Sequence, residues 1–352
     1  MNYNSVVLYA YGESHYMEEL SEKDFTFVNI LGRCRNGLVY CVTRDSQMYS
    51  MKVRLKKELK KLPSEITLYH HPCITQIIWI YHNETQLCFL SSYVEATNFM
   101  KYIEQRQKKT KILYDEQLCF YAAQLFCVVE HIINSDSYYF DFKPDNVLIC
   151  MDGNLCVCVQ DEGEFLEEFH PPLWKNTHKS YQAPEVLLAS PVEDDEEEIL
   201  HPNKTIFWSI GVFLYKLATG KTPFADTDKK NPERTNILSK TIDFTPFSKP
   251  LASLLEKLLQ RDPKQRLTDM SLIKSHSFFA DIDWNTVCDT QQNKPPFQLT
   301  REEVSPSSSV PSPSYASTNH ETIDLNPTPT LIAPVLCDEL AGHTIINGNF
   351  YQ

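Results

Sequence analysis

Asp141, Lys143 and Asn146 fall within six residues of one another, in the run Tyr138-Tyr139-Phe140-Asp141-Phe142-Lys143-Pro144-Asp145-Asn146-Val147-Leu148. They bring together a carboxylate, a cation and an amide oxygen. Phosphoryl transfer needs that set: the carboxylate orients an incoming hydroxyl, the cation steadies the γ-phosphate, and the oxygen ligand holds Mg²⁺. Two upstream segments offer partners for the phosphates. Leu31-Gly32-Arg33-Cys34-Arg35-Asn36-Gly37-Leu38-Val39 lies between two predicted strands. Glycines at a β-turn let backbone amides close over phosphate oxygens, although a glycine-bearing hairpin is as readily a structural device. Tyr49-Ser50-Met51-Lys52-Val53 sets a lysine on the third predicted strand, pointing the same way as Ser50. There it either reaches the α- and β-phosphates or is an ordinary exposed strand lysine. Its spacing after the glycine segment favours the phosphates.

The elements that must position these residues can be read from patterning. Strands are predicted over 25–28, 37–42 and 48–53, with Asp45-Ser46 as the turn between the last two, and again over 77–80 and 87–90. Pro63 suits the first turn of a short helix running to His70. Beyond about residue 90 the pattern turns helical. Leu118, Ala122, Leu125, Val129 and Ile132 recur at helical spacing within 115–133. Val147–Ile149 and Leu155–Val159 bracket Asp152-Gly153 as a hairpin. Residues 208–219 read as a buried helix closed by Gly220, and 251–259 as another, with Pro263 beyond it. A small β-rich part followed by a larger helical part is an α+β arrangement.

Composition narrows the class. The chain has 352 residues, 42% of them hydrophobic, enough to bury a sizeable core. Its net charge is −13, and the run Glu193-Asp194-Asp195-Glu196-Glu197-Glu198 supplies six of the negative charges as a solvated loop. An acidic chain is a poor nucleic-acid binder, which would need clustered Lys and Arg. Eleven cysteines are scattered without paired metal-ligand spacing, implying reduced thiols in the cytoplasm or nucleus. Neither a signal-peptide pattern at 1–16 nor an apolar run of membrane-spanning length is present. After about residue 300, Ser, Pro, Thr and Asn dominate, and such a segment cannot offset its ordering entropy.

The order of glycine loop, strand lysine, Asp-x-Lys-Pro-x-Asn and Ala183-Pro184-Glu185 resembles the eukaryotic protein kinase superfamily. Tyr139 before the catalytic-loop pair, the ending His276-Ser277-Phe278-Phe279-Ala280-Asp281-Ile282-Asp283-Trp284, and Lys294-Pro295-Pro296-Phe297 are similar to the AGC serine/threonine kinases. The resemblance implies a two-lobed kinase domain over 25–284. It is preceded by an N-terminal extension (1–24) and followed by the start of an AGC-like tail (285–300) and a disordered tail (301–352). It implies transfer of the ATP γ-phosphate to protein Ser/Thr hydroxyls, with Mg²⁺, on protein substrates that include basic peptides as a candidate class. Carried over by position, Leu31, Gly32, Gly37 and Val39 cover the nucleotide and Lys52 meets its phosphates. Ser91 is the gatekeeper, and the backbone at Ser92 and Val94 meets adenine. Asp141 is the catalytic base, Lys143 the phosphate cation, and Asn146 and Asp161 the Mg²⁺ ligands. Glu65, with Glu58 as rival, pairs with Lys52, and Arg266 pairs with Glu185.

Several positions depart from the family pattern. Cys34 replaces a loop glycine, Phe140 replaces the catalytic-loop arginine, and Glu162 replaces the phenylalanine of the metal motif. Asp161 lies two residues later than an ungapped match, which would put Val159 at the metal position. The segment from Arg54 to His71 is short. Ile206 stands where a large-lobe aspartate usually holds the catalytic loop, and Asn98 where basophilic relatives carry a glutamate. These departures keep a second reading open, a catalytically impaired pseudokinase acting as a scaffold or allosteric interaction protein.

Overall fold

The computed structural model describes residues 24–34, 37–55, 69–82, 86–107, 113–135, 142, 144–158, 179–188, 202–225, 233–304, 344–346 and 349–351. The chain divides into two compact units. One comprises residues 1–66, 77–94 and 305–352, the other 67–76 and 95–304. The first is a β-sheet unit and the second is mainly helical, which is the α+β division expected from the sequence.

Five antiparallel strands form the sheet of the first unit: β1 (Thr26–Cys34), β2 (Gly37–Arg44), β3 (Gln47–Leu55), β4 (Ile77–His82) and β5 (Gln86–Ser92), in the order β1-β2-β3-β5-β4. Asp45 and Ser46 both take positive φ, 49° and 67°. That is the signature of a two-residue hairpin turn whose twist matches its strands. The alternation of β3 puts Met51 against a core of Phe25, Val42, Trp79, Cys88 and Leu90, with Tyr49 and Val53 packed beside it. Phe25 meets Tyr49 edge-on at 6.0 Å and Trp79 at 6.1 Å. Gly37 has no room for a side chain, because a Cβ there would lie 1.8 Å from the Val53 carbonyl oxygen.

The second unit opens with β6 (Ala96–Asn98) and α1 (Phe99–Gln107). It continues through α2 (Asp115–Asn134), β7 (Val147–Cys150), β8 (Leu155–Val157), α3 (Pro184–Leu188), α4 (Pro202–Thr219), α5 (Glu233–Ser239), α6 (Lys249–Leu258), α7 (Met270–Lys274) and α8 (Arg301–Val304). Strands β6, β7 and β8 form a three-stranded sheet. A separate antiparallel pair, β9 (Thr344–Ile346) and β10 (Asn349–Tyr351), lies near the C-terminus. The helix α2 begins with Asp115 and Glu116 at the positive end of its dipole, and the Gln117 side chain turns back to accept the Tyr114 N–H at 3.1 Å. It is buried along most of its length, as expected of a helix that is apolar nearly all round. Phe126 stacks on Phe207 of α4, and Trp208 stacks on Phe224 at 5.5 Å. Leu251, Leu254, Leu255 and Leu258 of the amphipathic α6 close the same core.

A buried polar network joins α2, the β7–β8 turn and the segment after α7. The Gln124 amide donates to Asn154 Oδ1 (2.8 Å) and the Val287 carbonyl (2.9 Å), while its oxygen accepts from Leu155 N (2.9 Å). Asn293 donates to the same Asn154 oxygen at 2.7 Å. Gln124 uses both ends of its amide, and Asn154 Oδ1 accepts from two side-chain amides, so the network holds the turn in place. The residues read as an AGC-like tail start pack onto this unit. Phe297 is buried against Tyr102 and Tyr121, with the Arg106 guanidinium 4.5 Å from its ring. Leu299 N donates to the Met151 carbonyl at 3.1 Å. Gly153, with φ of 86°, makes this docking possible, since a Cβ there would lie 1.6 Å from the Phe297 carbonyl oxygen.

Two expectations need correction. The helix expected from Pro63 to His70 does not extend to its predicted end, because Tyr69 and His70 are non-helical; residues 63–68 lie outside the described residues. His71 accepts the Cys73 N–H there instead, which holds the chain in a turn. Strand β8, expected over 155–159, ends at Val157, and Cys158 follows it. Val159 lies outside the described residues.

Candidate active site

Residues directly opposed in an antiparallel sheet project to the same face. Gly32 opposes Val39, Val39 opposes Lys52, and Lys52 opposes Phe89. These four therefore form a row across β1, β2, β3 and β5, on the face opposite the Met51–Trp79 core. Cys41, Ser50 and Ser91 form the adjacent row, so Lys52 shares its face with Ser50 as the alternation predicted. Lys52 is 5% exposed and Ser91 fully buried; the bland alternative of an exposed strand lysine does not hold. A Cβ added at Gly32 would meet nothing within 4 Å, so packing among the described residues does not demand glycine there, unlike at Gly37. Leu31 sits at an irregularity of the β1–β2 ladder and is exposed. Ser92 ends β5 opposite Tyr49, and Val94 ends the 77–94 stretch of the first unit, after which Glu95 resumes the second.

In the second unit, Pro144–Asn146 form a 3₁₀ turn leading straight into β7. Two hydrogen-bonding arrangements hold that turn. Cys158 N donates to the Asn146 carbonyl at 2.8 Å. The Asn98 amide donates to the Pro144 and Asp145 carbonyls at 3.0 and 3.3 Å. Just before it, Phe142 is buried and meets Phe213 of α4 edge-on at 5.4 Å. Asp145 is exposed, and Ile206 is buried in the apolar core at 2% exposure. Arg266 meets Glu185 of α3 as the motif implied, with two parallel bonds of 2.6 and 2.8 Å.

Asp141, Lys143, Asp161, Glu65, its rival Glu58, Phe140 and Glu162 all lie outside the described residues. Among the described residues no group of three His, Cys, Asp or Glu side chains could hold a metal ion. No described helix is long and apolar enough to cross a membrane. Sequence reasoning missed Asn98 as a structural partner of the 144–146 turn. Its one available signal was its place just before the apolar-periodic α1, where Asn is a favoured cap.

A sheet unit carrying a buried strand lysine beside a glycine loop, and a helical unit carrying the Pro-Asp-Asn turn, define a protein kinase architecture. The protein kinase domain family matches residues 25–279, and the chain belongs to that family. Its similar proteins are AGC-type serine/threonine kinases, in agreement with the motifs. The RAC family serine/threonine-protein kinase homolog of Dictyostelium discoideum is 31% identical over 295 residues, covering 79% of this chain and 62% of that protein. Ribosomal protein S6 kinase alpha-3 of Homo sapiens is 28% identical over 312 residues, covering 81% of this chain and 40% of that protein. Serine/threonine-protein kinase SCH9 of Saccharomyces cerevisiae is 27% identical over 354 residues, covering 92% and 40%. The chain thus spans less than two thirds of the length of these relatives.

Proposed function

We propose that the chain is a serine/threonine protein kinase, transferring the γ-phosphate of Mg²⁺-ATP to Ser and Thr hydroxyls of protein substrates. The row of Gly32, Val39 and Lys52 on one sheet face carries this reading. A backbone free of a side chain beside a buried cation suits a chain of phosphates. In this reading Leu31, Gly32, Gly37 and Val39 cover the nucleotide, Lys52 steadies its phosphates, and Glu65 or Glu58 orients Lys52. The backbone at Ser92 and Val94 accepts and donates to adenine. Asp141 accepts the proton of the substrate hydroxyl, Lys143 offsets charge on the transferred group, and Asn146 and Asp161 hold Mg²⁺. When bound, the metal offsets charge developing on the phosphate oxygens. Asp145, exposed in the middle of the turn, offers one carboxylate to a basic substrate residue. Reduced thiols at Cys73, Cys127, Cys156 and Cys288 support placement in the cytoplasm or nucleus.

One observation favours a second reading, a pseudokinase scaffold. The side chain at position 206 is a buried isoleucine, so α4 offers no carboxylate there to the loop that carries Asp141. The test uses the full chain, Mg²⁺-ATP and a panel of Ser/Thr peptides, with Asp141→Asn as control. Mg²⁺-dependent transfer that disappears in the control is the expected result. Nucleotide binding without Mg²⁺ dependence, and no transfer, would establish the scaffold reading instead.

A further inference from the structure

Asn98 engages both ends of its side-chain amide. It closes β6, paired with Leu148 of β7. Its Oδ1 accepts the Lys101 N–H at 3.0 Å, capping the first turn of α1. Its Nδ2 donates to the carbonyls of Pro144 and Asp145 at 3.0 and 3.3 Å. An aspartate or serine there can cap the helix but cannot offer an amide pair of donors, and a lysine can donate but cannot cap. The two carbonyls it holds immediately precede Asn146. On the other side of the same turn, Cys158 N holds the Asn146 carbonyl.

We propose that Asn98 is a positioning residue for the 144–146 turn, tying it to the N-terminus of α1 and so fixing Asn146 for its metal ion. The metal role of Asn146 rests on the kinase reading above; the tether itself does not. Just before the turn, Phe142 is held by apolar packing on Phe213 of α4, and Ile206 of the same helix is buried in the apolar core. Asn98 supplies a polar anchor from β6. With both ends of its amide engaged inside the protein, position 98 does not read a basic substrate residue.

The test is Asn98→Asp in the full chain, beside Asn98→Ala. Asn98→Asp keeps the cap acceptor, removes both donors, and sets a carboxylate against two carbonyl oxygens. The first readout is amide hydrogen exchange of the 142–150 peptide, with the 99–107 peptide as internal control. The second is the Mg²⁺ dependence of peptide phosphorylation. In Asn98→Asp, exchange should rise in 142–150 and stay unchanged in 99–107. The Mg²⁺ concentration for half-maximal activity should rise roughly 10-fold or more, the usual scale for losing a partner that orients a ligand, while the peptide KM holds. If Asn98→Asp behaves as wild type in both readouts and only Asn98→Ala is impaired, Asn98 is a helix cap and the proposal is overturned. A wild-type chain that transfers no phosphate refutes the kinase reading alone, and the exchange readout then decides the tether by itself.

Discussion

Removing the Glu185 carboxylate should be among the most damaging single changes in the helical unit. Its partner Arg266 is 4% exposed and Glu185 6%. The guanidinium makes two bonds to the carboxylate, and donates also to the Lys204 carbonyl at 3.0 Å and the Gln260 carbonyl at 3.1 Å. It lies 5.3 Å from the Trp208 ring centroid. Glu185→Ala leaves this cation buried with two neutral carbonyls and, among the described residues, no counter-charge. Removing one partner of such a pair costs about 3–5 kcal/mol. For a unit of this size each kcal/mol lowers the thermal midpoint by about 2–4 °C, so a fall of roughly 6–20 °C is expected. Replacing both partners by apolar residues removes the stranded charge, so Glu185→Leu with Arg266→Met should cost less than the two single changes added together. The residual loss reflects the Lys204 and Gln260 carbonyls, deprived of their donor. Urea unfolding of the four proteins forms a double-mutant cycle that measures the coupling directly. If Glu185→Ala costs under about 1 kcal/mol, or if the double substitution equals the sum of the singles, the guanidinium reaches water and the argument from burial is wrong.

Two further outcomes follow from local geometry. Gly153→Ala should dislodge the segment around Phe297, because its Cβ would meet the Phe297 carbonyl oxygen at 1.6 Å and because φ is positive. Exposing Phe297 and Leu299 would cost about 1.5–3 kcal/mol each at most, and subtilisin should cut residues 294–304 faster; unchanged cleavage would count against the docking. Burial, and then the neighbouring His131, push the His71 imidazole down to about 4, and its Nδ1 must stay unprotonated to accept the Cys73 N–H. The unfolded chain then binds more protons than the folded one between about pH 6.5 and 4. Stability should fall with pH across that window, by up to about 1.4 kcal/mol per pH unit from this group. Unfolding titrations of wild type and His71→Asn from pH 7 to 4 should diverge, and parallel curves would remove His71 as the cause.

Much of the fold was legible along the chain. The alternation in β2 and β3, the Asp45-Ser46 turn and the helical period of α2 each follow from backbone stereochemistry acting over a few residues. For the same reason the two-residue period of β3 is enough to set Lys52 and Ser50 on one face. The Arg266–Glu185 pair was legible for a different reason, since both residues belong to motifs whose order identifies the family. The predicted end of the Pro63–His70 helix was wrong at Tyr69 and His70, because a helix-start signal says nothing of where the chain is next pinned, and His71 pins it by accepting the Cys73 N–H.

What local pattern determined, then, was which segments are strands or helices and which residue types could do chemistry. Tertiary structure decided what those residues do to one another. Gly153 reads as a hairpin glycine, and only the arrival of Phe297, far along the chain, shows why no side chain fits. Asn98 reads as a substitution at a substrate-reading position, and only the β6–β7 pairing brings the Pro144 and Asp145 carbonyls within reach of its amide. Short-range pattern is written in the period of side chains along a backbone. Contacts between distant segments depend on which surfaces meet, and that is set by the packing of the whole core rather than by any one stretch of it.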